Sequence, residues 1–193
     1  MEYTHILVII SIFISLSGAY SYIIDTIKGN TKPNRVSWIM WTLAPMIGVG
    51  AAIQAGGDLW SVVRIFMAGF TPLLVIIFSF LNKNSYWKIT LFDALCGAMS
   101  LIALFFWIGL ENFKYAILIA VIADIFASIP TLIKSWKYPE TETVTVYITS
   151  LINGLITVPA IVKFDVINSS FQLYLIIINI VLILIIKRNN IKI

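Results

Sequence analysis

Charge is scarce in this chain: 11% of its 193 residues are Asp, Glu, Lys or Arg, where a soluble domain has about a quarter. The single cysteine, Cys96, excludes an internal disulfide. The single histidine, His5, and the lack of paired His or Cys ligands exclude the common metal sites, and no glycine-rich phosphate loop is present. The sequence therefore predicts a protein that is not an enzyme and that carries no cofactor and no metal.

Apolar residues make up 60% of the chain, and they form long blocks separated by short polar clusters. A helix needs about 20 residues to cross a hydrocarbon layer about 30 Å thick. Blocks of that order occur seven times, at 4–27, 36–54, 59–81, 86–110, 113–134, 143–162 and 171–186. Because lipid offers no partner to an unpaired backbone amide, we expect an all-α integral membrane protein with seven transmembrane helices.

The cationic residues are distributed unevenly between the two sides of these spans. Ten of the 13 fall in connections that alternate to one side: Lys28, Lys32, Arg35, Lys83, Lys88, Lys134, Lys137, Lys187, Arg188 and Lys192. The positive-inside rule predicts a multi-pass protein of the cell membrane with its amino terminus outside and its carboxyl terminus in the cytoplasm. This distribution explains the basic character of the chain without nucleic acid as a partner.

Two segments of the sequence resemble each other at an offset of 106 residues: IDTIKGNTKPNRVSWIMW at 24–41 and PTLIKSWKYPETETVTVY at 130–147. The identical pairs are Ile27/Ile133, Lys28/Lys134 and Pro33/Pro139, and the similar pairs are Ser37/Thr143 and Trp41/Tyr147. The repeat predicts two parallel triple-helix bundles, residues 1–85 and 113–193, joined by a linker helix at 86–112. Parallel repeats of this kind are common in transporters, where the interface between the halves can hold a solute.

The 3+1+3 plan and a Pro-x-x-Ile-Lys-x-Trp run resemble the SWEET and PQ-loop transporter superfamily. The residues of that run are Pro130, Ile133, Lys134 and Trp136. In the family a proline followed by a polar residue ends the first helix of each repeat, and Pro130-Thr131 stands in that place here. The resemblance implies a transporter of sugars or amino acids that works by alternating access, with helix-bending prolines as hinges. The candidates for these hinges are Pro45, Pro130 and Pro159.

Asp124 lies about ten residues from either end of the fifth predicted helix, hence about 15 Å deep by helical rise. A charged side chain inside a span costs at least ~2.5 kcal/mol, so an acid at this depth is a candidate for function. It suits proton coupling or recognition of a cationic solute. The alternative is a structural carboxyl, hydrogen-bonded to Ser or Thr of a neighbouring helix.

Other polar side chains fall at similar depth. Asn179 lies in the seventh predicted helix, where the resemblance implies a substrate-binding asparagine; its alternative role is a hydrogen bond between helices. The predicted substrate-binding set is Asp124, Asn179, Asn153 and Thr71. Trp41 and Tyr147 match between the repeats, and we expect them to close an inner gate.

The first functional hypothesis is a small-solute membrane transporter of the sugar or amino-acid class, with proton coupling left open. The alternative is a membrane receptor or sorting protein of the same fold, which binds a ligand without translocating it and needs a basic cavity for a carboxylate. The basic residues near an opening are Arg64, Lys28 and Arg35. The expected partners are the lipid bilayer and a small-molecule solute, with homo-oligomerisation left open.

Overall fold

The computed structural model describes residues 3–54, 56, 59–84, 86–109, 113–158 and 166–188, and within them all regular structure is helical. The helices are α1 Tyr3–Lys28, α2 Arg35–Gln54, α3 Leu59–Phe78, α4 Leu91–Ile108, α5 Phe113–Lys137, α6 Thr145–Thr157 and α7 Val166–Lys187. A 3-10 turn at Pro139–Thr141 lies between α5 and α6. The prediction of an all-α protein is confirmed for these residues.

Four of the helices are long and apolar enough to cross a membrane. Their spans are His5–Lys28, Arg35–Gln54, Leu118–Lys137 and Ser169–Lys187. The other three helices contribute shorter apolar stretches, which are Val62–Phe78, Leu91–Phe106 and Thr145–Thr157. The described helices are therefore consistent with a membrane protein.

The fourth helix begins at Leu91, five residues later than the predicted start at 86. The cause is a reciprocal cap, in which the Thr90 backbone N–H donates to Asp93 Oδ2 at 2.8 Å and the Asp93 N–H donates to Thr90 Oγ1 at 3.2 Å. Asp93 is 4% exposed and also accepts a hydrogen bond from Asn34 Nδ2 at 3.1 Å. This bond fastens the start of α4 to the segment between α1 and α2.

The helices pack in a pattern that occurs twice. The third helix contacts both α1 and α2, and the seventh contacts both α5 and α6. Between these groups, α1 packs against α6 and α2 packs against α5. The fourth helix packs on α5 and, over a smaller area, on α2.

One end of the molecule gathers the last turns of α1, α3, α5 and α7 and the first turns of α2, α4 and α6. At this end Arg35 Nε donates to Ser79 Oγ at 3.0 Å, which joins α2 to α3, and the guanidinium of Arg188 lies 4.7 Å from the ring centroid of Trp136. We call it the basic end, after the described cations that lie there: Lys28, Lys32, Arg35, Lys83, Lys88, Lys134, Lys137, Lys187 and Arg188.

The largest group of buried apolar side chains lies towards the basic end. Tyr22, Trp38, Val75, Val146 and Leu182 bring together α1, α2, α3, α6 and α7. Among the described side chains, the buried positions of α1 fall between 18 and 26, and those of α2 fall between 37 and 42. The helices are therefore packed most closely in the half of the molecule next to the basic end.

Candidate functional site

Asp124 lies on the inward face of α5. The exposed side chains of this helix include Ile122, Ile125 and Ile133, which mark the face that an apolar solvent would cover. At about 100° per residue, Asp124 is displaced from them by roughly 100–180° around the helix. The neighbouring Ala123 is 2% exposed and packs among residues of α4. The carboxyl is therefore directed into the protein.

Three neutral polar groups surround this carboxyl. Ser128 Oγ lies 3.4 Å from Asp124 Oδ2 and 3.0 Å from the hydroxyl oxygen of Tyr174. The Tyr174 hydroxyl and the indole N–H of Trp41 also lie near the carboxyl. Since Trp41 belongs to α2 and Tyr174 to α7, Asp124 sits where three helices meet. We call Asp124, Ser128, Tyr174 and Trp41 the Asp124 site.

A line of hydroxyls continues from this site towards the basic end. Ser128, Thr131 and Ser135 follow Asp124 at intervals of four, seven and eleven residues, which places them on one face of α5. All three are 0% exposed, and Thr131 Oγ1 and Ser135 Oγ have no hydrogen-bond partner within the described part of the chain. The buried face of α5 is therefore polar from mid-helix to its last turn.

Glu142 is the centre of a buried cluster at the basic end. Lys134 Nζ lies 2.6 Å from Glu142 Oε1, and the two side chains are 1% and 0% exposed. The hydroxyls of Tyr22 and Tyr147 donate to Glu142 Oε2 at 2.9 Å and 3.0 Å. One ammonium and two phenols thus compensate the buried carboxylate, and together they tie α1, α5 and α6. We call Glu142, Lys134, Tyr22 and Tyr147 the Glu142 cluster.

The connections that follow α1 and α5 also bind each other at the basic end. The Lys32 backbone N–H donates to the Thr141 carbonyl at 3.0 Å. Thr143 Oγ1 donates to Asp25 Oδ2 at 2.6 Å, and the hydroxyls of Thr31 and Thr143 share a hydrogen bond. With the Glu142 cluster, these contacts close the basic end between the two halves of the chain.

The interface between α1 and α6 is close and partly polar. Asn153 Nδ2 donates to the Ser11 carbonyl at 3.2 Å and to Ser15 Oγ. One helical turn further along α1, a Cβ built on Gly18 would lie 1.9 Å from Thr149 Oγ1. Only a residue without a side chain allows the two helices to approach this closely. Asn153 therefore fastens α6 to α1 and lies away from Asp124.

Asn179 is 8% exposed, and its Nδ2 donates to the Leu175 carbonyl at 2.7 Å, within its own helix. It follows Tyr174 by five residues, so it lies about 140° further around α7 at about 100° per residue. The structure consequently puts Asn179 on a different face of α7 from the one that reaches Asp124.

The remaining predicted residues lie in several places. Thr71 Oγ1 donates to the Met67 carbonyl at 3.2 Å inside α3. Pro130 is fully buried in α5, and Pro45 lies inside α2, where a Cβ on Gly69 of α3 would approach its Cβ to 3.2 Å. Pro159 lies outside the described residues.

The two predicted gate residues belong to two different groups of side chains, and aromatic rings join these groups. Tyr147 belongs to the Glu142 cluster through its hydroxyl. Trp41 packs edge-on against Trp38, with ring centroids 5.2 Å apart and an interplanar angle of 84°. Trp38 in turn lies 4.7 Å from the ring of Tyr22. A chain of aromatic rings thus connects the Asp124 site to the Glu142 cluster.

Sequence reasoning missed Glu142, Tyr22 and Tyr174. The signal for Glu142 was available, because this acid lies eight residues after Lys134 in one of the two repeated segments. It also missed Gly48 and Gly154, which are 106 residues apart. A Cβ on Gly48 would lie 3.3 Å from Ile65 of α3, and one on Gly154 would lie 3.1 Å from Ile176 of α7.

Comparison of the chain with protein-family models, with curated proteins and with solved structures gives no match. Among the residues that the structure describes, no group of three or more His, Cys, Asp or Glu side chains gathers as a metal site. The described fold brings polar side chains together in mid-helix at the Asp124 site and at the contact of Asn153 with Ser11 and Ser15, and the Asp124 site is the one of these two that contains an acid.

Proposed function

We propose that the chain is a small-solute transporter of the cell membrane, which works by alternating access around the Asp124 site. The observation that carries this proposal is a carboxyl at mid-helix, directed inward at the junction of α2, α5 and α7. Intramembrane acids of this kind are costly and are typical of solute and proton pathways.

The repeated packing supports a 3+1+3 architecture like that of the SWEET and PQ-loop superfamily. Exchange of α1, α2 and α3 for α5, α6 and α7 leaves the pattern of contacts among these six helices unchanged, while α4 packs on α5 and α2 alone among the strong contacts. Gly48 and Gly154, at the same offset of 106 residues, each face an isoleucine of the third helix of their own group. In this scheme residues 1–85 and 113–193 are the two bundles, and α4 is the linker helix between them.

The basic end is cytoplasmic in this proposal, in accordance with the positive-inside rule. The contacts of the Glu142 cluster and of Thr141 with Lys32 support a state that is closed on that side. Opening requires Glu142 to separate from Tyr22, so that α1 and α6 can part. The looser burial of α1 and α2 away from the basic end supports access from the outside in this state.

Counterflow in proteoliposomes tests the proposal. Purified protein is reconstituted, and exchange of labelled sugars, amino acids and amines is measured for the wild type, Asp124→Asn and Glu140→Gln. We expect one solute class to exchange, Asp124→Asn to lose at least about 90% of that exchange, and Glu140→Gln to keep it, because Glu140 is an exposed acid. Exchange of every active solute at wild-type rates by Asp124→Asn would contradict the proposal.

A receptor of the same fold is less well supported by the described residues. Such a protein would need free cationic groups in a cavity to bind a carboxylate. Lys134 is bound to Glu142, and Arg35 Nη2 donates to the Ser79 carbonyl at 2.6 Å. Ligand binding without any counterflow would nevertheless favour the receptor over the transporter.

A further inference from the structure

The Asp124 carboxyl has polar neighbours, but among the described side chains none of those at hydrogen-bonding distance carries a positive charge. Ser128 and Tyr174 offer hydroxyl groups, and Trp41 offers an indole N–H. All three are neutral donors. They orient the carboxyl without balancing its charge.

The cations of α5 and of the helices packed against it whose side chains the structure describes lie at the basic end: Arg35, Lys134, Lys137, Lys187 and Arg188. Lys114 lies in the first turn of α5, ten residues before Asp124 and about 15 Å away by helical rise. Along α5, Lys134 is ten residues beyond Asp124, about 15 Å by helical rise, and its ammonium is bound to Glu142. The guanidinium of Arg35 lies 4.0 Å from the ring centroid of Phe80 and is bonded to Ser79. None of the described cationic side chains lies at hydrogen-bonding distance from Asp124, so its charge lacks a partner among the described side chains.

An uncompensated carboxylate at this depth is unfavourable, so the carboxyl either takes up a proton or pairs with a bound cation. The described site offers one carboxyl and the hydroxyls of Ser128 and Tyr174. A divalent metal ion would keep part of its water shell here and would carry one charge more than the single carboxylate balances. The aromatic rings of Trp41 and Tyr174, by contrast, attract an organic cation through their faces.

We propose that the Asp124 site binds a small organic monocation, an ammonium compound whose charge pairs with Asp124 and whose substituents lie against Trp41 and Tyr174. The inference rests on the proposed function, since it names the solute class of the same site. It narrows that class from sugars and neutral amino acids to amines and quaternary ammonium compounds. A proton is the competing occupant of the carboxyl.

Two probes of equal shape test this proposal on the unmodified protein. Choline and 3,3-dimethylbutanol differ in that a charged nitrogen replaces a neutral carbon, so their affinities isolate the contribution of charge. We expect calorimetric titration of the full chain in nanodiscs to show choline binding at least about tenfold tighter than the alcohol. Asp124→Asn should abolish the preference, while the exposed Glu140→Gln control keeps it.

Variants of Trp41 test the aromatic part of the site. Trp41→Phe keeps a ring and should retain most of the choline affinity, whereas Trp41→Leu should weaken it by about tenfold, in the range expected for a cation–π contact. Thermal unfolding of each variant shows whether it is folded. A folded Trp41→Leu protein with unchanged choline affinity would overturn the aromatic assignment.

The outcomes separate this inference from the transport proposal. Equal affinity of the wild type for choline and the alcohol, together with Asp124-dependent counterflow of a neutral solute, overturns the organic-cation site and leaves transport supported. Choline binding that depends on Asp124, without counterflow of any solute, supports the cation site and overturns transport. Counterflow of a neutral solute driven by a proton gradient and lost in Asp124→Asn identifies the proton as occupant and overturns the inference.

Discussion

The α1–α6 and α2–α5 interfaces are formed by helices that correspond to each other at an offset of 106 residues, yet they differ at a corresponding position. Gly18 and Asp124 are 106 residues apart, which is the offset that relates the repeated segments. At Gly18 the missing side chain lets Thr149 approach to a distance that a Cβ could not tolerate. At Asp124 the position 106 residues later holds a carboxyl, which lies near Trp41.

This difference indicates a division of labour between the two interfaces. The α1–α6 interface is closely packed at Gly18, and the hydrogen bonds of Glu142 and Asn153 join its two sides. These contacts stabilise the association of the two helices. Both interfaces keep polar atoms without partners among the described residues, such as Ser11 Oγ at α1–α6 and Thr131 Oγ1 on α5. What distinguishes the α2–α5 interface is the carboxyl of Asp124 at mid-helix, because an acid at such a depth is costly for stability and typical of a solute-binding interface.

The largest expected effect is on stability at the Glu142 cluster. Lys134→Met leaves the carboxylate of Glu142 buried without its cation, and removal of one member of a buried pair costs about 3–5 kcal/mol. We expect a marked fall in the unfolding temperature in detergent micelles. Lys137→Met is the matched control, because Lys137 lies three residues further along α5 and is exposed.

A double variant distinguishes lost charge balance from lost packing. Lys134→Met combined with Glu142→Gln restores neutrality, and we expect it to recover more than half of the stability lost in the single variant. If the double variant were as unstable as Lys134→Met, the charge pair would not be what holds the basic end closed.

The second effect is at Gly18, where the comparison between the interfaces is most direct. Gly18→Ala places a Cβ 1.9 Å from Thr149 Oγ1, and overpacking of this kind costs about 1–3 kcal/mol. Gly50→Ala is the control, since nothing lies within 4 Å of a Cβ at that position. Thermal unfolding of both variants in the same detergent measures the difference.

Thr149→Ala should partly rescue Gly18→Ala, because it removes the oxygen at 1.9 Å and leaves a Cβ at 3.0 Å. Additive losses in the double variant would mean that these two residues do not contact each other. That result would contradict the close packing of α1 against α6 at Gly18.

Much of the fold could be predicted from the sequence, because hydropathy and charge can be read directly along the chain. The positions of α1, α2 and α5 agree with the apolar blocks to within a few residues, since lipid-spanning helices satisfy their own backbone groups. The later start of α4 at Leu91 depends on a cap between Thr90 and Asp93, which is a local contact that average hydropathy does not detect.

The Asp124 site could be predicted only in part from the sequence, for a related reason. The depth of Asp124 follows from its position in an apolar block, but its partners Trp41 and Tyr174 come from other helices, whose rotation the sequence does not specify. Glu142 lies beyond the end of α5, where acids are usually solvated, and its burial depends on Tyr22, 120 residues away. Such long-range pairings appear only when the helices are assembled.

The smallest expected change in stability comes from a comparison of one hydrogen-bonding residue from each interface, Asn153 and Ser128. Asn153→Ala removes the contacts of Asn153 with Ser11 and Ser15, and interhelical hydrogen bonds in membranes contribute about 0.6 kcal/mol on average. We expect a small loss of thermal stability and unchanged choline affinity, whereas Ser128→Ala should weaken choline binding with little change in stability. Ser150→Ala, an exposed position on α6, controls for the substitution itself. The opposite pattern, with binding sensitive to Asn153 and stability sensitive to Ser128, would reverse the roles assigned to the two interfaces, because the solute would then lie between α1 and α6.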